Sequence, residues 1–201
     1  MTPSKRIFDV VFATILVVIL LPILLILSIL ILLVDGRPVF FISERMKTRH
    51  VSFQLYKFRT MRIAKVDAGV SGGNKLNRIT KTGSLLRKYR LDEIPQLLNI
   101  FKGDMSFIGP RPPLRIYVER FPEIYDEVLK SCPGVSGLAS IVFHKHETNI
   151  LSKCNTALET DRAYTTRCIP TKAKLDLIYQ RNATFCYDCM LVLKTIYKVL
   201  R

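Results

Sequence analysis

From Val10 to Val34 the chain runs 25 residues without a charge, nearly all Val, Ile and Leu. No other feature limits the fold as strongly. About 20 apolar residues suffice to cross a bilayer. The run is too long for a signal peptide and lacks a small-residue cleavage site. The chain is therefore read as a membrane protein, with residues 1–36 forming a membrane helix and its flank. Residues 37–201 then form one domain beside the bilayer. Pro22 lies near the middle of the run. A proline inside a helix removes a hydrogen bond and crowds the preceding turn. One outcome is a kinked spanning helix, which membranes tolerate. The other is a helix that breaks and returns to the face it entered. Lys5 and Arg6 precede the run; Arg37, Arg45, Lys47 and Arg49 follow it. Positive flanks prefer the cytoplasmic side. A spanning helix must export one such end, whereas a re-entrant helix exports neither.

The chain as a whole is basic, with 31 Lys+Arg against 16 Asp+Glu and a formal net charge of +15. That excess calls for an anionic partner: an acidic lipid surface, a phosphorylated substrate or a nucleic acid. Nucleic acid is set aside, because no binding motif appears and the aromatics are not interleaved with the basic residues. The five cysteines are odd in number and fall late, from Cys132 to Cys189. With basic, cytoplasm-type flanks, they read as free thiols rather than a disulfide framework. Cys186 and Cys189 form a CxxC downstream of His144 and His146, so zinc is the alternative. There is no second CxxC, and the surrounding sequence has helical spacing.

Beyond Gly36, two β-rich arms, Val39 to Ile42 and Val51 to Met61, flank a basic connector and predict a β-hairpin. Residues 62–80 are polar and glycine-rich and predict a mobile loop. Short helices are expected over Ser84 to Tyr89 and Ile94 to Phe101. Pro110, Pro112 and Pro113 exclude regular structure around Arg111. An amphipathic helix interrupted at Pro122 is expected over Leu114 to Lys130. A turn-rich connector should follow at "CPGVSGLAS", then helices over Lys172 to Tyr179 and Phe185 to Leu200. Residues 144–170 carry no clear pattern.

The stretch "RLDEIPQLLNIFKGDMSFIGPRP", Arg90 to Pro112, carries the chemistry. Asp92 is placed to be a helix N-cap, with Glu93 first in the helix and Pro95 in the first turn. That account explains "DEIP" without any chemistry. The same position suits catalysis. A helix N-terminus holds a carboxylate ionised and attracts phosphate, and an ionised Asp beside a phosphate is a potential nucleophile. A hard cation such as Mg²⁺, held by the neighbouring carboxylate, would relieve the repulsion between anions. Arg111, fixed between two prolines, would grip the remaining phosphate oxygens.

These segments resemble a known family, the bacterial monotopic phosphoglycosyl transferases, or sugar transferases. The matches are "KRIFDVV", "PVFFISER", "YKFRTM", the specific stretch from Arg78 to Pro112, "PGVSGLA" and "KLDLIYQRNATFCYD". The resemblance implies an α+β fold: a re-entrant membrane helix broken at the proline, interfacial amphipathic helices, and a small mixed α/β body with the β-hairpin. It implies transfer of a sugar-1-phosphate from a UDP-sugar to a polyprenol phosphate of the undecaprenyl class, with release of UMP. The route is a covalent phosphosugar–aspartate intermediate with Mg²⁺, early in glycoconjugate or exopolysaccharide synthesis. On the matching positions Asp92 is the nucleophile, Glu93 and Asp92 hold the metal, and Arg111 binds phosphate. Lys57, Arg59, Arg87 and Asp104 line the site, although each also fits a structural ion pair or hydrogen bond. The implied location is the cytoplasmic face of the bacterial plasma membrane, in contact with lipid and with a homodimer as an option. The chain departs from the family pattern after Pro133: Ser140 replaces the usual Gln, and "IVFHKHETNILSKC" follows. His144, His146 and Glu147 are either donor-recognising or solvated. The rivals are a catalytically silent scaffold and a membrane-tethered nucleic-acid binder.

Overall fold

The computed structural model describes residues 1–63, 69, 70 and 73–200. Helix α1, Pro3–Val34, takes in the whole apolar run. Thr2 caps its start by accepting from the Lys5 N–H, and Pro3 occupies the first turn, where no N–H is needed. Helical backbone continues through Pro22, where a break was expected. Among the described residues α1 is the one helix long and apolar enough to cross a membrane.

One flank of α1 packs on the body and the other stays open. Ala13, with Leu16, Val17 and Leu20, packs against Phe53, Leu55, Leu97, Ile100 and Met105. Ile31, with Leu24 and Leu27, packs against Phe58 and Leu86. The opposite side is bare: Val18 is 70% exposed and Leu33 78%. Polar contacts fasten both ends. At the start, Lys5 pairs with Asp188, and Arg6 donates to the carbonyls of Ile100 and Phe101. Asp9, 1% exposed, accepts from the Ser106 hydroxyl at 3.0 Å. At the far end, Arg59 Nη2 donates to the carbonyls of Asp35 and Gly36, each at 2.6 Å.

The expected hairpin is present. Strands β1, Phe40–Met46, and β2, Ser52–Phe58, pair antiparallel, with Phe41 opposite Lys57 and Arg45 opposite Phe53. Beyond it Met61 bridges to Ile79. Of the loop expected over 62–80, residues 64–68, 71 and 72 lie outside the described residues, while Gly73–Arg78 form a 3-10 turn. Helix α2, Lys81–Lys88, then leads to a 3-10 turn, Leu91–Gln96, and helix α3, Leu97–Lys102. Fully buried Asn99 joins α3 to the free edge of β2. It accepts from the Tyr56 N–H at 3.1 Å and donates to the Gln54 carbonyl at 2.7 Å.

The supposed turn-rich connector contains a strand. Strand β3, Ser106–Ile108, pairs parallel with β4, Gly134–Ser136. Glycines permit the close approach: a Cβ on Gly109 would sit 2.1 Å from the Cys132 carbonyl oxygen. Between the strands lie α4, Arg115–Arg120, and α5, Pro122–Val128, split at Pro122 as the sequence predicts. The unpatterned region is helical: α6, Leu138–Ser152, α7, Ala157–Ala163, and, after a π-turn, α8, Ile169–Asn182. Helix α9, Phe185–Leu200, ends the described chain. The architecture is mixed and mostly helical, with two small sheets. Its largest core joins Tyr117, Tyr125, Phe143, Tyr164 and Ile169.

Truncating Asn99 to alanine leaves a strand N–H and a carbonyl unpartnered in the interior. The cost is about 2–4 kcal/mol, a fall in Tm of roughly 5–10 °C. Thermal unfolding of Asn99→Ala in detergent checks this, and an unchanged Tm would show that β2 finds its partners elsewhere.

Candidate active site

A cavity of about 970 Å³ opens between the hairpin, the Leu91–Gln96 turn, the proline-rich segment and helices α6 and α8. Lys57, Arg59, Arg87, Asp92, Glu93 and Arg111 all line it. The sequence placed these six together, and the fold does so. Asp104 is different. It does not line the cavity; it accepts from Asn99 Nδ2 at 3.2 Å, so its role is to orient that buried amide.

The carboxylate pair is built otherwise than expected. Asp92 is not an N-cap, because it lies inside the 3-10 turn that begins at Leu91. Arg90 holds the preceding position in the left-handed region, at φ 54°. Strain of this kind in a non-glycine residue costs of order 1–3 kcal/mol and is found at functional sites. It turns the chain sharply and sets the two side chains in different surroundings. Glu93 is gripped by cations: Arg111 at 2.6 Å, and Lys57 and Arg90 at 3.4 Å each. Burial alone would raise its carboxyl, but Arg111, Lys57 and Arg90 outweigh burial and hold it far below the usual range. Glu93 in turn raises the Arg111 guanidinium.

Asp92 is 9% exposed and makes no hydrogen bond or ion pair to any described residue. Burial first, and Glu93 second, push its carboxyl upward against the pull of Lys57, Arg87 and Arg111. The expectation that capping keeps this group ionised is thus overturned, because a short 3-10 turn offers it no backbone N–H. One carboxylate of the pair is neutralised and fixed; the other is unpaired and faces the cavity.

The neighbouring cations divide by task. Lys57, brought down to about 8 by burial and then by Arg111, stands between Glu93 and the cavity. Arg87 donates to the Thr60 hydroxyl at 2.9 Å. Arg59 Nη2 is occupied at the end of α1, which fits the structural alternative, while its side chain also lines the cavity. Arg111 is aimed by its backbone. The Gly109 N–H bonds the Ser136 carbonyl at 2.9 Å and the Gly134 N–H bonds that of Pro110 at 2.8 Å, pinning the segment to β4.

The atypical segment supplies the opposite wall. Ser140, His144, Glu147 and Leu151 recur at helical spacing along α6 and all face the cavity. His146 lies on another face, away from the cavity. His144 is exposed on α6, and partial burial, then Arg90 and Arg111, lower its imidazole. Glu147 accepts from Lys172 at 2.9 Å. Asp176, 7% exposed on α8, is pushed up to about 7 by burial. Tyr179, on the same helix, is elsewhere and donates to Asp188 at 2.7 Å beside Lys5. Cys186 and Cys189 lie on α9 as free thiols, and no cluster of three or more His, Cys, Asp or Glu exists among the described residues. The zinc alternative has no site there.

The model of the family described as bacterial sugar transferase matches residues 1–201. The chain belongs to this family. Among curated relatives, it is 31% identical over 204 residues to the UDP-N-acetylgalactosamine-undecaprenyl-phosphate N-acetylgalactosaminephosphotransferase of Aeromonas hydrophila. That match takes in 98% of this chain and 43% of the relative. It is 29% identical over 198 residues to the UDP-glucose:undecaprenyl-phosphate glucose-1-phosphate transferase of Escherichia coli, 96% of this chain and 39% of that one. It is 33% identical over 214 residues to the exopolysaccharide production protein ExoY of Rhizobium meliloti, with 96% and 84% covered. The chain thus spans less than half the length of the first two of these relatives.

Sequence reasoning missed Arg45 as a lining residue, reading it only as a flanking charge; Asp176, in the matching stretch "KLDLIYQRNATFCYD", fits either a structural role or substrate contact and lines the cavity. Asp176 gives a pH test. Its folded value near 7 lies above its unfolded one, so the folded state keeps this proton longer. The contribution of Asp176 to stability is therefore full below the unfolded value and is lost as pH rises to about 7. The Tm of Asp176→Asn relative to wild type should accordingly rise between pH 5 and pH 8. A difference that stays flat or falls would contradict the burial argument.

Proposed function

We propose that the chain transfers a sugar-1-phosphate from a UDP-sugar to a polyprenol phosphate of the undecaprenyl class, releasing UMP. The observation that carries this is the asymmetry of the pair: Glu93 saturated with cations, Asp92 unpaired in a cation-lined cavity. In the first step an Asp92 carboxylate oxygen attacks the phosphorus that bears the sugar. The bond from that phosphorus to the UMP oxygen breaks, and UMP leaves. In the second step an oxygen of the polyprenol phosphate attacks the same phosphorus. The bond from that phosphorus to the Asp92 oxygen breaks, and Asp92 returns as a carboxylate. A carboxylate raised by burial is a stronger nucleophile than a solvated one. Lys57 and Arg111 stand where charge builds on the phosphoryl oxygens. Their contact with Glu93 keeps them in place before substrate arrives.

Mg²⁺ fits this donor set. Two adjacent carboxylates are too few for a closed protein site, but Mg²⁺ commonly takes one or two, with water and substrate phosphates completing its shell. Asp92 would hold it, with Glu93 turning toward it only as far as Arg111 allows. When bound, the ion would neutralise phosphoryl charge as a Lewis acid.

The membrane placement follows from the same architecture. Both ends of α1 are fastened to one basic body, at Lys5, Arg6 and Asp9 and again at Asp35. Fastening both ends to one body supports a helix that exports neither end. The helix therefore enters and leaves on the cytoplasmic face, as the positive flanks prefer. Helix α9 lies in the interface: Phe185, Leu193 and Tyr197 are exposed, and Phe185 meets Phe8 of α1 edge-on at 5.3 Å. The relatives' names, one for UDP-N-acetylgalactosamine and one for UDP-glucose, support the reaction class without choosing the sugar.

Two measurements test this. Purified Asp92→Asn, incubated with polyprenol phosphate and a UDP-sugar panel, should release UMP only at background, and the mass of the wild-type sugar-phosphate adduct should be missing. UMP release near the wild-type rate would remove Asp92 from the nucleophile's role. A cysteine introduced by Ser4→Cys should resist an impermeant thiol reagent in intact cells and react after permeabilisation; labelling in intact cells would show that the helix spans.

A further inference from the structure

The cavity holds a cation that the proposed chemistry at Asp92 does not use. Arg45, on β1, makes no hydrogen bond or ion pair to any described residue, and its Nε is buried without a partner. Two residues earlier, Ser43 buries an unpartnered hydroxyl. Alternate residues of a strand share a face, so Phe41 and Ser43 lie on the face of Arg45, although Ser43 does not line the cavity. The register puts Lys57 opposite Phe41, and therefore on that same face of the hairpin. Arg111 and Lys57 each interact with both Arg45 and Asp92. The cations thus form a row that starts at Asp92 and ends at Arg45.

A guanidinium removed from water without a counter-charge is costly. Arg45 bears that cost visibly, since burial, and then Arg111, bring it down to about 10. The groups in the surrounding protein that favour its charge are the phenols of Tyr164 and Tyr117, while the acid in the row, Glu93, is already held by three other cations. A planar fork of free donors in a cavity is suited to the oxygens of a phosphate. We propose that Arg45 binds a phosphate ester group distinct from the phosphoryl group bonded to Asp92. The inference rests on the two-step reading above, which needs a second phosphate in the cavity during each step. In the first step that phosphate is the departing nucleotide's; in the second it belongs to the incoming lipid. Arg45 holds one or both beside the reacting phosphorus.

The test separates these sources and does not depend on a variant folding. Wild-type protein in detergent is treated with phenylglyoxal, and modification of Arg45 is mapped by mass spectrometry with UMP, with a short-chain polyprenyl phosphate, or with neither. Shielding of Arg45 by UMP assigns the nucleotide phosphate, and shielding by the lipid analogue assigns the acceptor. Shielding by neither overturns the proposal. In parallel, Arg45→Gln should weaken inhibition by the shielding compound roughly tenfold or more, the loss of one charge-assisted contact. Arg45→Lys should recover part of that loss, and the Tm should be unchanged. Inhibition of Arg45→Gln as tight as wild type would equally overturn the assignment. If wild type releases no UMP from any UDP-sugar, the two-step reading fails, and shielding still decides whether Arg45 takes a phosphate ester.

Discussion

The fold rests on an apolar helix fastened at both ends to a basic body. Lys5, Arg6 and Asp9 hold one end of α1, and Arg59 holds the other through the carbonyls of Asp35 and Gly36. Between these anchors, Ala13 and Ile31 sink into two small cores that also receive β2, α2 and α3. The strand that carries Lys57 and the turn that carries Asp92 are therefore built directly upon the membrane helix. A shift of α1 in the lipid would be felt at the carboxylate pair. The proposed transfer from a water-soluble donor to a lipid acceptor would need that rigidity, because both would meet one side chain.

Two adjacent carboxylates in a cation-rich cavity need not behave alike. Glu93 and Asp92 share a 3-10 turn and much of the same field, yet one is driven down and the other up. The difference is contact. Three cations reach Glu93, and only longer-range attraction reaches Asp92. Glu93 thus works as an internal counter-ion that keeps Arg111 and Lys57 from repelling each other. That arrangement leaves Asp92 available.

Much of this was legible in the sequence. The apolar run, the hairpin, the split helix at Pro122 and helix α9 follow from period and proline position. Six of the seven residues expected at the site do meet there. What could not be read depends on distant partners. Asn99 resembles any polar helix residue until its amide is seen capping the edge of β2. Strand β4 is three residues rich in glycine, a turn by composition, and becomes a strand only because β3 lies beside it. Asp104 carries the right charge in the right motif but faces Asn99 rather than the cavity. The N-cap expected at Asp92 failed because a local rule for α-helices met a 3-10 turn.

The anchors of α1 also bear on the order in which the protein is made. Lys5 and its partner Asp188 are 183 residues apart, and Arg6 waits for a carbonyl 94 residues downstream. The ribosome delivers the apolar helix first, long before those partners exist. Chains grow at roughly 5–20 residues per second, so the helix spends many seconds in lipid without its tethers. During that interval the flanking positive charges bear on its orientation. The finished body arrives late and locks in a topology already chosen.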